Sequence, residues 1–153
     1  MLKNALRSLA VILCTTALAW GANPVVGTWT LNLAKSKFSP GPAPMEETRV
    51  YEANGEGVKV TVTTIASDGK STTVNISANY DGKDYPVSGS SLYDAIALKR
   101  IDDRNTEATL THAGKEVATT HREISVDGRT MTMTFRTPNE PRITNIAVYE
   151  KQD

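Results

Sequence analysis

The sequence predicts an all-β protein: a single up-and-down antiparallel barrel of about 8–10 strands, lying behind a cleavable leader. Three observations predict it. Apolar and polar residues alternate with period two in short segments along most of the chain. Those segments are separated by Asp-Gly and Asn-Gly dipeptides, which favour tight hairpins because their central residues accept positive φ. No crossover long enough for a parallel connection interrupts them.

The first 22 residues read differently. Met1, Lys3 and Arg7 form a basic start, and Leu9 to Ala19 is an apolar run of mostly small residues. Ala17 and Ala19 offer a small-residue cleavage pattern, the layout of a secretory signal peptide. The run falls short of the roughly 20 residues that a membrane-spanning helix needs. Cys14 lies inside it behind bulky Leu13, where a lipid-attachment site wants a small residue. The expected division is therefore a leader over 1–22 and one domain over 23–153, exported to the periplasm or the extracellular space. With the leader go the chain's only cysteine and two basic residues. The 17 basic residues less Lys3 and Arg7, against 17 acidic ones, leave a net charge of −2. That balance offers no electrostatic reason to bind nucleic acid and no polybasic membrane patch. No stable membrane insertion is expected once the leader is removed.

Taken in order, the first strand is Val25 to Leu31, with Val25, Gly27, Trp29 and Leu31 on one face. The connection Asn32 to Pro44 holds Pro40, Pro42 and Pro44 around Gly41, which excludes a long helix but allows one helical turn at Leu33 to Ser36. Strands follow at Glu47–Glu52, Val58–Ala66, Thr72–Tyr80, Asp84–Val87 and Ala95–Ile101. Four more lie at Thr106–His112, Glu116–Ile124, Arg129–Thr137 and Ile143–Lys151. Between them sit Asn54-Gly55, Asp68-Gly69, Asp81-Gly82, the loop Ser88 to Tyr93, Asp102 to Asn105, Ala113-Gly114, Asp127-Gly128 and Pro138 to Pro141. A sheet of this size must hide its edges and cover its dry face, and closure does both. A two-sheet sandwich is the architectural alternative, but sandwiches usually need Greek-key connections.

Gly27-Thr28-Trp29 on the first strand is similar to the G-x-W that opens lipocalins and fatty-acid-binding proteins. With it go Thr30-Leu31-Asn32, Lys35-Ser36-Lys37-Phe38, Tyr80-Asp81-Gly82-Lys83-Asp84-Tyr85-Pro86-Val87, Ala97-Leu98-Lys99-Arg100-Ile101-Asp102 and Val148-Tyr149-Glu150-Lys151. As a set these resemble an uncharacterised family of exported bacterial lipocalin-like proteins. The resemblance implies a barrel with Gly27 and Trp29 as its structural plug. It also implies a cation over the tryptophan ring, to be supplied by Arg122, Arg142 or Lys151. Departures from true lipocalins are plain. No C-terminal helix follows the last strand, no second lipocalin motif stands mid-chain, and the Pro-rich connection replaces the helix pair that caps fatty-acid-binding proteins. The ligand class is therefore not carried over.

The dry faces carry residues of medium size, and aromatic residues make up only 6% of the chain. A barrel of this strand number encloses more than such side chains readily fill, so an apolar cavity for a small apolar or amphipathic ligand is expected. Candidate ligand-binding residues are Val62, Ile76, Tyr80, Leu98, Arg100, His121, Met133 and Phe135. His121 is in phase with Val117 and Thr119, and Arg100 with Ile96 and Leu98, so both are expected to point inward, or to reach water near a strand end. The alternative is a packed barrel acting through its surface, as an inhibitor or an envelope interaction module.

No catalytic constellation stands out. No serine sits in G-x-S-x-G, and Glu116 with Glu123, or Asp81 with Asp84, form no singled-out acid–base pair. Two histidines, His112 and His121, do not have zinc-site spacing. The expectation is a non-enzymatic protein without metal or cofactor. The outward threonines Thr61, Thr63, Thr73, Thr130, Thr132 and Thr134 read as strand formers on a wet surface.

Overall fold

The computed structural model describes residues 23–153, the side chains of residues 140–144 excepted. The leader expected over 1–22, Cys14 within it and the Arg142 side chain lie outside the described residues. Eleven strands are present: β1 Gly27–Leu31, β2 Lys37–Phe38, β3 Glu46–Asn54, β4 Gly57–Ile65, β5 Ser71–Asn79 and β6 Asp81–Ser88, then β7 Ala95–Arg100, β8 Asn105–His112, β9 Lys115–Ile124, β10 Thr130–Thr137 and β11 Glu140–Lys151. The only helix among the described residues is a 3-10 turn, Leu33–Lys35.

Apart from β2, each strand pairs antiparallel with its sequence neighbours, and β1 closes the sheet by pairing with both β3 and β11. The result is a closed ten-stranded up-and-down barrel, the architecture expected from the hairpin punctuation. The Ala113-Gly114 turn shows the local cause, since both residues hold positive φ, 49° and 75°. Trp29 pairs with Lys151 and Leu31 with Tyr149, so the two ends of the domain are stitched together in register.

The connection after β1 does more than cross the mouth of the barrel. Asn32 caps the 3-10 turn through its side-chain oxygen, which accepts from Lys35 N at 3.1 Å. Ser36 Oγ accepts from Val148 N at 2.9 Å and donates to the Asn32 carbonyl at 2.7 Å. That hydroxyl satisfies β11 where β1 has turned away. β2 then rejoins the edge of β11, Phe38 opposite Asn145. A strand was not expected here, because two residues are too few for alternation to register.

Inward faces form one core: Trp29, Leu31, Tyr51, Val58, Val60, Val62, Ile76, Ala78, Ile96, Leu98, Leu110, Ile124, Met131, Met133 and Tyr149 are all buried. One end is sealed. Trp29 is fully buried, and its Nε1 donates to the Val25 carbonyl at 2.7 Å. Lys151 Nζ sits 5.3 Å from the centre of the indole and donates to the Pro24 carbonyl at 3.1 Å. Of the three cations considered, Lys151 therefore stands over the ring. Gly27, at φ 133°, makes room for it, since a Cβ there would lie 2.8 Å from Lys151 Cε.

Candidate functional site

The interior is not uniformly apolar. β3 turns Glu47, Arg49 and Tyr51 inward, and β9 turns in Thr120 and Arg122. Near the mouth, Glu47 Oε1 accepts from Arg49 Nε at 2.8 Å and from the Tyr149 hydroxyl at 2.6 Å. Its other oxygen accepts from Thr64 Oγ1 at 3.1 Å. Arg49 also lies 5.1 Å from the centre of the Tyr149 ring. Burial works to raise the Glu47 carboxyl, but the Arg49 charge and these hydrogen bonds outweigh it and hold it below the ordinary glutamate value. Burial pushes the Tyr149 phenol far above its ordinary value, although the Arg49 charge opposes the rise. This group is internally satisfied.

Arg122 is different. Only 8% exposed, it donates from Nη2 to Thr106 Oγ1 at 2.9 Å and reaches the Tyr80 hydroxyl at 3.4 Å. Its guanidinium lies 5.3 Å from the centre of the Tyr51 ring. Its Nε is buried with no partner, and none of the ion pairs among the described residues includes it. Among the described residues Arg122 thus has a free donor and no carboxylate partner, which leaves its positive charge uncompensated there.

Both arginines border one cavity of about 50 Å³, with Tyr51, Thr106, Thr120 and Met133 among its other walls. Apolar sides come from Val58, Val60, Ile76, Ile96 and Leu98. At roughly 10–15 Å³ per water, it holds about three to five waters, far below the roughly 300 Å³ of a drug-sized pocket. The oily hollow expected from medium-sized residues is thus small and carries charge, because Arg49, Arg122 and the buried Tyr51 and Tyr149 occupy space that the aliphatic pattern left open.

The sequence-derived candidates separate into groups. Ile76, Leu98 and Met133 line the cavity. Val62 is buried and Phe135 is packed against the core, but neither lines it. Tyr80 touches Arg122 from the side. Arg100 is exposed, and its guanidinium stacks 4.4 Å from the centre of the Tyr80 ring rather than reaching inside. The inward expectation for His121 is corrected. Its Nε2 lies 3.1 Å from Asn105 Oδ1, and the residue shares the outer row with Glu107 and Thr134. The reason is a register shift in β9: Leu110 pairs with Ala118 and Thr111 with Glu116, leaving Val117 as the extra residue. Val117 and Ala118 both pack on the core, so every later residue changes face.

That outer row borders a larger concavity, about 560 Å³, formed by Glu107, Thr109, Thr119, His121, Thr134 and Arg136 on the outside of β8 to β10. Among the described residues no three His, Cys, Asp or Glu side chains converge as metal ligands, and no helix is long and apolar enough to cross a membrane.

Compared with known proteins, the chain matches no family model and no curated sequence. The site is therefore read from its own chemistry. Arg49, Arg122, Thr106 and Thr120 were missed in the sequence. Arg122 shares the phase of Ile124, which was the available signal, but the Val117 bulge hid the face on which both lie.

Proposed function

We propose that this protein is an exported, non-enzymatic binding barrel whose ligand is a small amphipathic molecule with a compact anionic head. The observation that carries the reading is Arg122, a buried cation with an unpartnered Nε at the edge of a cavity that has an apolar opposite wall. Two guanidiniums border that cavity against the single Glu47 carboxylate, which Arg49, Tyr149 and Thr64 already occupy. An anion beside Arg122 fills the missing acceptor role, and charge-assisted bonds of this kind are about twice as strong as neutral ones. The volume fits a short carboxylate, with its alkyl part against Ile76, Leu98 and Met133. Action outside the cytoplasm follows from the leader expected over 1–22.

Calorimetric titration with carboxylates from acetate to octanoate tests this. The short members are expected to bind wild-type protein, and binding is expected to be lost in Arg122→Met. Equal binding by the variant, or none across the series, overturns the reading.

The second reading is action through the outer wall, favoured by the 560 Å³ concavity around His121 and Arg136. Amide chemical-shift mapping separates the two. Shifts confined to Ile76, Leu98 and Met133 support the interior, and shifts at Thr109, Thr119 and Thr134 support the surface.

A further inference from the structure

Nine residue pairs join β4 to β5, from Gly57–Asn79 to Ile65–Ser71. β5 and β6 share two, Asn75–Ser88 and Ile76–Val87. From Ser77 to Asn79 on one strand, and from Asp84 to Pro86 on the other, the ladder is missing on this side. At the mouth end the seam is pinned: Gly89 lies so close to the Thr73 carbonyl that no Cβ fits. At the plug end it is split.

What lies behind the split is the interior site. The cavity wall passes from Ile76 of β5 directly to Ile96 and Leu98 of β7, and β6 contributes no residue to it. Tyr85 packs against the core at the gap, and its hydroxyl donates to Asp81 Oδ2 at 2.8 Å and also meets Asn79 of β5, so side-chain contacts stand there in place of the backbone ladder. Tyr80 stands between inside and outside. Its ring carries the exposed Arg100 guanidinium at 4.4 Å, and its hydroxyl makes a long, 3.4 Å contact with the buried Arg122. A cation in solvent, a half-buried aromatic and a cation in the interior thus form a line. That contact is long and therefore weak, and the hydroxyl's other polar partner is the side chain of Asn23.

Resting on the interior anion site argued above, we propose that the split between β5 and β6 is the passage by which the anion reaches Arg122. Tyr80 is the side chain that swings aside. Arg100 gathers the anion at the surface, and the missing ladder means that few backbone hydrogen bonds need to break for the wall to part. The apolar remainder of a ligand longer than the resting cavity stays in the parted seam.

The test is a reversible bridge. Extending the observed register places Asn79 opposite Asp84. Asn79→Cys with Asp84→Cys, in full-length protein carrying Cys14→Ser, is oxidised or reduced. A short bis-maleimide bridges the pair where it does not oxidise. Butyrate is the probe, and its exchange rate is read from NMR line shapes of the Met133 methyl. Bridging is expected to slow association at least tenfold with little change in Kd, reduction of the disulfide to restore it, and Tyr80→Ala to speed it. Amides of Ser77, Asn79 and Asp84, which point into the seam, are also expected to exchange hydrogen at least tenfold faster than those of β4 and β8, ligand or no ligand. Equal association rates with and without the bridge, or seam amides as protected as their neighbours, overturn the passage while leaving the interior site standing. Failure of the reduced protein to bind butyrate instead counts against the interior site itself.

Discussion

Arg122→Met distinguishes a cation that awaits a ligand from one that holds the fold together. The side chain is 92% buried (8% exposed). Methionine keeps most of its stem volume and removes the charge. Three contacts are lost. The Thr106 bond at 2.9 Å involves a charged donor and is worth about 1.5–3 kcal/mol. The cation over Tyr51 adds about 0.5–2 kcal/mol. The Tyr80 contact, at 3.4 Å, adds little. Against this stands the desolvation of an ion without a counter-charge, several kcal/mol after relaxation. The opposing quantities are of equal size, so the empty variant is expected within about 1.5 kcal/mol of wild type. Urea melts monitored by circular dichroism read this, and at roughly 3–5 °C per kcal/mol thermal melts read it as well. Saturating butyrate at a hundredfold its Kd is expected to stabilise wild type by about 2.7 kcal/mol and the variant not at all. A loss of about 3–5 kcal/mol in the empty variant is the signature of breaking a satisfied buried charge, and it would refute the argument.

Other outcomes follow from the same contacts. Trp29→Ala removes a fully buried indole and its bond to Val25, and is expected to cost about 3–5 kcal/mol in urea melts. Ser36→Ala takes the acceptor from Val148 N and is expected to cost about 1–3 kcal/mol, with faster exchange at that amide. Glu47 titrates below its ordinary value in the folded state, so its contribution is fully present above the unfolded pKa and is lost as pH falls through the lower, folded one. The stability difference between wild type and Glu47→Gln is therefore expected to be constant near neutrality. It should shrink only below the ordinary glutamate range, measured as urea midpoints across acid pH.

Ten of the eleven strands were legible because their information is local. Alternation names the face, and the Asp-Gly and Asn-Gly dipeptides name the corners. β2 was not legible, since its pairing with Asn145 and Ile146 depends on how the chain returns from the 3-10 turn. Site legibility failed for a different reason. Alternation reports phase relative to neighbours, and one inserted residue reverses it. Val117 is such a residue, and it moved His121 out and Arg122 in. On β3, Val50 faces out while Glu47, Arg49 and Tyr51 face in, the inverse of a hydropathy reading. Charged residues can occupy that face only because they satisfy one another, and pairing across β3, β4 and β11 is invisible to a one-dimensional pattern. Medium-sized candidates such as Ile76, Leu98 and Met133 needed only phase, and these are the candidates that line the cavity.

The two interior arginines provide the sharpest internal comparison. Both were moved from water into the same barrel at the same kind of cost. Arg49 received a carboxylate, and that carboxylate is itself held by a tyrosine and a threonine. Arg122, on the opposite wall, received a threonine hydroxyl, a distant phenol and the edge of a void. If packing alone governed the interior, an aliphatic residue at 122 would fill the void and avoid the burial of charge. Space for water-sized groups, an apolar wall and a free donor occur together at that one residue. Each alone has a bland structural account. Their coincidence at Arg122, beside a seam that lacks its ladder, is what a site for a compact anion requires.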